Sequence, residues 1–257
     1  MTLLRILLAS LFTVSAVSAQ SVIFSDNFGS YTLNEPLSSP WGSVTPNPTQ
    51  PDAAVEVVLD TGDYFGAGTS NQILHVLDTS STWLTRADMR GLSFNVATLS
   101  FDFYEVAGVS GTPWRVSFGL DSSSAGNIFQ ATLDSGNPGS YSLNAKHTFQ
   151  MVVNTSTSNV DYAETTLNSM HYDLWIDGEL VTSNAAAETI PSGFVPGSNM
   201  TAFRFTTGSS SLSQEIYIDN VLLTEGAVIP EPSSLAWLGF AGLSVLALRH
   251  RRNTRRA

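Results

Sequence analysis

The chain has 257 residues, of which 42% are hydrophobic and only 13% are charged, and it contains no cysteine. Without cysteine there can be no disulfide, no thiolate metal site and no cysteine nucleophile. Residues 20–229 carry five basic and 21 acidic side chains, a net charge of −16, and a surface this acidic repels phosphate backbones, which argues against nucleic-acid binding.

The first 19 residues have the layout of a secretory signal peptide. Arg5 supplies a positive charge, residues 6–14 are apolar, and Val17-Ser18-Ala19 places small residues at the cleavage positions. This order predicts export through the inner membrane and cleavage after Ala19. The alternative is a buried N-terminal helix.

Residues 20–228 show a hydrophobic period of two, which is typical of strands. In the segment ATLSFDFYEV, Leu99, Phe101 and Phe103 share one face and polar residues alternate with them. Several later segments alternate in the same way, and Asp177-Gly178 predicts a type I′ hairpin. We expect ten to twelve strands, and only residues 79–89 could form a turn or two of helix. The proline-rich stretch 36–51 predicts a long surface loop.

Many antiparallel strands with one polar face each predict an all-β fold, a two-sheet antiparallel β-sandwich of the jelly-roll type. We expect this sandwich to be a single domain at residues 20–228, because no repeat or linker divides it. A signal-peptide helix (1–19) would precede the sandwich and a hydrophobic helix within residues 229–257 would follow it.

Three segments are similar to concanavalin-like, laminin-G-like lectin and glucanase sandwiches: FSDNFGSYTLNEPL, HYDLWIDGELV and EIYIDNVLLTEG. The last segment also resembles the final strand of jelly-roll carbohydrate-binding modules. The resemblance implies that the first and last strands pair and that a structural Ca²⁺ ties them, with Asp26 and Asp219 as candidate oxygen ligands. The alternative is that Asp26 begins a turn and Asp219 shapes a strand.

Three pairs of carboxylates are candidates for catalysis, and all three are disfavoured. Asp177 and Glu179 lie at a turn, where a hairpin role suffices. Asp60 in VLDTGD and Asp134 in TLDSGN resemble an aspartic-protease pair, but 74 residues are too few for two separate lobes, and such sequences are ordinary turns. Asp102 and Glu105 lie three apart and so face opposite sides of a strand. We therefore predict no catalytic residue. A hydrolase whose carboxylates converge from different strands is the alternative.

Large aromatic side chains are candidates for stacking on sugar rings. They are Trp41, Trp83, Trp114 and Trp175. Trp175 lies opposite the apolar face of its strand, with Tyr104 and Tyr217 as companions; the alternative is that the tryptophans fill the core. The three histidines of the body have no metal-ligand spacing, and we expect them on strand surfaces.

The last 29 residues combine three features in a fixed order. Pro230-Glu231-Pro232 precedes residues 235–248, which are fourteen residues without a charge. A cluster of basic residues follows: Arg249, Arg251, Arg252, Arg255 and Arg256. A helix of that length is about 21 Å long, shorter than the roughly 30 Å hydrocarbon core, so it spans a membrane only marginally. The arginines would stay cytoplasmic and the body outside.

This order resembles the PEP-CTERM sorting signal of Gram-negative bacteria. The resemblance implies an exosortase-type membrane protease as partner, which would recognise Pro230-Glu231-Pro232 and remove the helix and the basic tail (249–257). The protein would then pass from a transient membrane anchor to the outer surface or the extracellular matrix. The alternative is a permanent single-span anchor.

Together these patterns predict an exported, surface-sorted β-sandwich protein that is not an enzyme and binds glycan or exopolysaccharide. The alternatives are a glycan-active hydrolase and a purely structural surface component.

Overall fold

A computed structural model describes residues 20–45, 53–79, 85–107, 113–121, 127–133, 141–207 and 214–228. The predicted signal peptide, with its cleavage position Ala19, and the predicted sorting segment 229–257 lie outside these residues, as do Trp83 and Asp134. Within these ranges no helix is long and apolar enough to cross a membrane.

The described residues form fifteen β-strands and no α-helix. In chain order they are β1 (Val22–Asp26), β2 (Trp41–Thr45), β3 (Ala53–Leu59), β4 (Gln72–Asp78), β5 (Arg86–Met89), β6 (Val96–Glu105), β7 (Trp114–Gly119), β8 (Asn127–Leu133), β9 (Lys146–Asn154), β10 (Val160–Tyr162), β11 (Thr165–Leu167), β12 (His171–Ile176), β13 (Glu179–Ala186), β14 (Ala202–Thr206) and β15 (Gln214–Glu225).

The strands make three antiparallel sheets. The larger has the order β13-β12-β9-β6-β15-β4-β3 with β1 beside β15, the smaller has the order β2-β5-β14-β7-β8, and β10 pairs with β11. The predicted all-β chain of antiparallel sheets is confirmed. The expected number of strands was too low, because short strands such as β10 and β11 have too few residues to show a period.

The two large sheets pack face to face through aromatic side chains. Phe101 on β6 contacts Phe205 on β14, with ring centroids 5.0 Å apart, and Phe103 on β6 contacts Trp114 on β7 at 5.4 Å. Leu99, the third apolar residue of β6, is fully buried. The predicted alternation along β6 is therefore confirmed, and the core lies between the sheets.

The strand β15 is the longest and lies inside the larger sheet. One of its edges pairs with β6, and the other pairs first with β4 and then with β1. The register shifts between Asp219 and Leu222, where Asn220 has a positive φ of 54°. Asp26 on β1 lies opposite Val221, so the pairing of first and last strands that the resemblance implies is confirmed.

Two local expectations were wrong. Within the predicted proline-rich loop, Trp41–Thr45 forms β2, at the edge of the smaller sheet. An edge strand tolerates nearby prolines because one side of it needs no hydrogen bonds. Within the predicted helical turn, Arg86–Met89 forms β5, since pairing with β2 and β14 overrides a weak local preference.

The turn after β1 depends on the carboxylate of Asp26. Its oxygens accept hydrogen bonds from Phe28 N at 2.8 Å, Tyr31 Oη at 2.7 Å and Trp41 Nε1 at 3.0 Å. We expect Asp26→Asn to lower the free energy of unfolding by about 1–3 kcal/mol, because an amide nitrogen would face a donor. Urea unfolding measures the change. The control Asn27→Ala, at an exposed neighbour, should cost less than about 0.5 kcal/mol, and equal losses in the two variants would contradict this role.

Candidate functional site

The outer face of the larger sheet carries a row of side chains that are in register across four strands. Glu56 on β3 lies opposite His75 on β4, and Tyr217 on β15 lies between His75 and Tyr104 on β6. Neighbouring strands are about 4.8 Å apart, which brings adjacent side chains of the row into contact. His75 and Tyr217 stack with ring centroids 4.8 Å apart.

A loop residue completes this row. Tyr64, between β3 and β4, lies over the sheet with its ring centroid 4.4 Å from that of Tyr104 and 4.9 Å from that of Tyr217. The fully buried carboxylate of Asp60 holds the loop by accepting hydrogen bonds from Tyr64 N at 2.8 Å and Phe65 N at 3.1 Å. The turn interpretation of VLDTGD is therefore the one that fits Asp60. We call Tyr64, His75, Tyr104 and Tyr217 the aromatic site.

Two carboxylates flank the imidazole of this site. Nδ1 of His75 lies 3.5 Å from Oε1 of Glu56, and Nε2 lies 3.2 Å from Oε1 of Glu215. The same Glu215 oxygen accepts a 2.7 Å hydrogen bond from Tyr217 Oη. Burial first, and then this bond, raise the pKa of Tyr217, so its hydroxyl stays a donor at neutral pH. Glu215 is thereby fixed against two partners.

The aromatic site opens onto a depression of about 400 Å³. Its lining comprises Leu33, Asn34, Glu56, Val58, Leu59, Thr61, Tyr64, His75 and Tyr217. Ring faces and aliphatic carbons supply the apolar part of the wall, and the amide, carboxylate and hydroxyl groups can bond to ligand hydroxyls. A mixed wall of this kind, at the small end of the usual range of ligand sites, suits a saccharide unit.

The carboxylate oxygens of both candidate calcium ligands accept hydrogen bonds from the protein. Asp26 serves the three donors given above, and Asp219, 2% exposed, accepts hydrogen bonds from Asn71 Nδ2 at 2.8 Å and Asn220 N at 2.7 Å. Burial raises the pKa of Asp219. No described group of three or more His, Asp or Glu side chains could hold a metal ion. Both carboxylates therefore have structural partners, and Ca²⁺ binding between these strands stays a prediction.

Two of the candidate sugar-stacking tryptophans belong to the core, which corrects that expectation. Trp41 is 5% exposed and packs on Phe24 and Phe203, and Trp114 is 1% exposed and packs on Phe103. Both side chains point between the sheets, so neither can meet a ligand.

Trp175 is on the outer face of the larger sheet, but apart from the aromatic site. It lies in register with Gln150 and, one strand further, with Ser100, whereas Tyr104 is four residues further along β6. The β10–β11 hairpin covers this region, and Trp175 Nε1 donates to Tyr162 Oη at 3.4 Å. Tyr104 and Tyr217 are therefore companions of Tyr64 and not of Trp175.

A serine, a histidine and an aspartate meet near the β12–β13 turn. His147 Nδ1 lies 2.6 Å from Asp177 Oδ2, and its Nε2 lies 3.4 Å from Ser142 Oγ but only 2.8 Å from the Ser142 carbonyl oxygen. Because Nε2 faces a carbonyl acceptor more closely than the hydroxyl, it is not placed to take a proton from Ser142. His147 ties two turns together, and at 7% exposed it is not the surface residue that was expected.

The sequence did not single out Tyr64, Glu56 or Glu215. Glu56 and Glu215 occupy polar positions of alternating strands, but period two gives only the face of a residue, not its neighbours across the sheet. Tyr64 could have been found only through Gly62, since a side chain at that position would collide with its ring.

No family model matches the chain, and no curated protein matches it by sequence. Among solved structures the chain is similar to a sialidase, with a TM-score of 0.48 and 14% identity over 68% of this chain and 16% of that one. It is also similar to the cellulose-induced protein Cip1 (TM-score 0.47, 11% identity, 81% and 100% of the two chains) and to a GH131 β-glucanase catalytic domain from Podospora anserina (0.44, 10%, 83% and 99%). The chain thus spans about a sixth of the sialidase.

The position of the Tyr64 ring depends on the absence of a side chain at Gly62. A Cβ atom on Gly62 would lie 2.4 Å from Cε1 of Tyr64, so we expect Gly62→Ala to displace the ring from Tyr104 and Tyr217. Nitration by tetranitromethane, located by peptide mass spectrometry, should then increase at Tyr64. At Gly29 the nearest atom would be 3.4 Å away, so Gly29→Ala is the matched control. Unchanged nitration of Tyr64 in Gly62→Ala would show that the ring position does not depend on Gly62.

Proposed function

We propose that this protein is an exported, surface-sorted, non-catalytic β-sandwich protein that binds glycan or exopolysaccharide through the aromatic site. The observation that carries the proposal is the continuous ring stack His75–Tyr217–Tyr64–Tyr104 beside the 400 Å³ depression. Aromatic rings with a polar margin can accept the apolar face of a sugar while its hydroxyls are hydrogen-bonded.

The charges around the site support a hydroxyl-rich and uncharged sugar at this position. Glu56, which lines the depression, is an acceptor for sugar hydroxyls, and Asp102 on the same face is 2.9 Å from Lys146 Nζ, so that cation is already paired. A ligand carboxylate or sulfate would be repelled by the two glutamates. The aromatic site is thus better suited to a neutral glycan than to an acidic one.

Hydrolysis is the second candidate function, and it has one specific observation in its favour. Glu56 on β3 and Glu215 on β15 come from different strands and flank the same imidazole, and paired carboxylates are what glycoside hydrolysis requires. We favour binding because Oε1 of each glutamate is already in contact with His75. Glu215 also accepts the hydrogen bond of Tyr217.

The surface-sorting part of the proposal comes from residues 229–257. Pro230-Glu231-Pro232, the uncharged run and the arginines support cleavage by an exosortase-type protease, and the first 19 residues support export. A purely structural surface component would carry the same signals, and it differs from the proposed protein in having no ligand at the aromatic site.

The affinity for glycan should depend on the ring of Tyr64. With the full chain, we expect Tyr64→Ala to weaken retention on neutral polysaccharides at least about tenfold, because it removes the outermost ring of the stack. Tyr64→Phe keeps the ring and should retain binding. Affinity electrophoresis in gels containing soluble β-glucan, xylan or galactan gives the dissociation constants.

Trp175→Ala is the control for aromatic residues elsewhere on the same face, and it should leave retention unchanged. Equal retention of Tyr64→Ala and the unaltered protein would contradict the proposal, and no retention on any polysaccharide would favour a structural component. New reducing ends in the same incubations, lost in Glu56→Gln, would favour hydrolysis.

The sorting proposal predicts the mass of the protein isolated from its host. Peptides should begin at Gln20, and peptides C-terminal to Pro232 should be absent, because the helix and basic tail are removed. Intact-mass and peptide spectra of the surface fraction test this. Replacement of Glu231 by Ala should leave the tail in place, while tail peptides in the unaltered protein would establish a permanent anchor instead.

A further inference from the structure

The few basic residues of the body are segregated on one sheet. Four of its five cationic side chains lie on strands of the smaller sheet or directly after one: Arg86, Arg90, Arg115 and Arg204. Asp88 is the only acidic residue in the five strands of that sheet. Most of the acidic residues that lie on β-strands belong to the larger sheet. A body of net charge −16 therefore has one face with an excess of positive charge.

Three of these arginines share the single carboxylate. Asp88, which is fully buried, lies 2.9 Å from Arg86 Nε, 2.8 Å from Arg90 Nη2 and 3.5 Å from Arg204 Nε. One carboxylate balances only one guanidinium. Burial lowers the pKa of Arg204, Asp88 raises it, and the neighbouring Arg86 and Arg90 lower it.

Arg115, the fourth arginine, lies on the same outer face of the smaller sheet as the other three. Thr206 lies between Arg86 on β5 and Arg115 on β7, and Arg204 is two residues before it on the same face. The Cα atoms of Arg86 and Arg115 are thus about 10 Å apart, two strand spacings, which is within joint reach of two arginine side chains. No described carboxylate forms an ion pair with Arg115.

This face also holds buried polar atoms that have neither a hydrogen bond nor an ion-pair contact. They are Arg90 Nε, Arg115 Nε and Ser117 Oγ, whereas Arg86 Nε and Arg204 Nε face Asp88 Oδ1 in the ion pairs given above. Ser117 is fully buried and lies beside Arg204 in the sheet register. Arg204 keeps a 3.0 Å bond to Asn127 Oδ1 and one to the Leu120 carbonyl. Native structures leave few such groups unpaired unless a ligand or water serves them.

We propose that the outer face of the smaller sheet is a second binding site, for the carboxylate or sulfate groups of an acidic glycan, with Arg86 and Arg115 as the binding residues. Guanidinium groups form bidentate bonds to such planar or tetrahedral anions. The choice of a sugar chain as the carrier of the anion rests on the proposed glycan-binding function. The aromatic site and this arginine site lie on opposite sides of the sandwich.

The surroundings of the arginine site favour a short anionic group over a polyphosphate chain. Asp121 accepts a 3.2 Å hydrogen bond from Gly91 N, and Glu188 accepts one from Gln130 Nε2 at 3.2 Å, so carboxylates lie beyond the end of β7 and beside the edge strand β8. A nucleic acid would extend past these groups onto an acidic body. The site therefore suits single anionic groups, such as the carboxylate of one uronate unit.

The test compares polygalacturonate with its fully methyl-esterified form, which differs only in charge. With the full chain, we expect binding to polygalacturonate that weakens as NaCl is raised. Arg115→Gln and Arg86→Gln should each weaken it about tenfold and leave binding to the methyl ester unchanged. Arg115 is outside the Asp88 network, so Arg115→Gln tests the site even if Arg86→Gln unfolds; thermal unfolding of each variant checks this.

Lys146→Gln is the matched control, because it removes the same charge from the other sheet, and it should change affinity less than twofold. If Lys146→Gln weakens binding as much as Arg115→Gln does, net charge explains the binding and the proposal is overturned. Unchanged binding in Arg115→Gln would also overturn the proposal. Self-association in sedimentation velocity that is lost in Arg115→Gln would overturn it in favour of a second copy. If the protein binds polygalacturonate but no neutral glycan, the arginine site is supported and the proposed binding of glycan at the aromatic site is wrong.

Discussion

The contact between the two large sheets rests on aromatic side chains, and every other feature of the protein depends on it. Phe101 meets Phe205 and Phe103 meets Trp114 across the interface, and with no cysteine in the chain no covalent bond supplements these contacts. Because the inner faces are filled with large apolar side chains, each outer face is left to polar and charged residues. The two outer faces could therefore acquire different chemistry without disturbing the core.

Their chemistry does differ. The larger sheet presents stacked tyrosines and carboxylates, and the smaller sheet presents guanidinium groups around one buried carboxylate. One protein molecule could bind the neutral and the acidic segments of a polysaccharide on its two faces. It could also cross-link two polysaccharide chains. Such bridging makes the effective affinity depend on the spacing of sites as well as on each contact.

The features that the sequence predicts well are those set by neighbours along the chain. Alternation in β6 gave the correct buried face, and Asp177-Gly178 forms the expected turn, with φ of 53° and 81°. Features set across the sheet were missed. Trp41 was a candidate for sugar stacking with burial as the alternative, and pairing of its edge strand decides for burial. Tyr64 was not considered because its position depends on Asp60 and on Gly62. Periodicity assigns a residue to a face, whereas a site is made by residues from strands that are distant in sequence.

The position of β15 has a mechanical consequence. Val228 N donates to Thr98 Oγ1 at 3.0 Å, so tension applied beyond Val228 enters β15, which is paired with β6 on one edge and with β4 and β1 on the other. Interstrand hydrogen bonds are perpendicular to the strands, and a pull along β15 loads them together in shear. A pull between Ser21 and Val228 would instead open β1 from β15 one bond at a time, since Val22 lies opposite Thr224. A load that acts along β15 is therefore shared by many hydrogen bonds at once, whereas a load between Ser21 and Val228 falls on one pair of residues at a time.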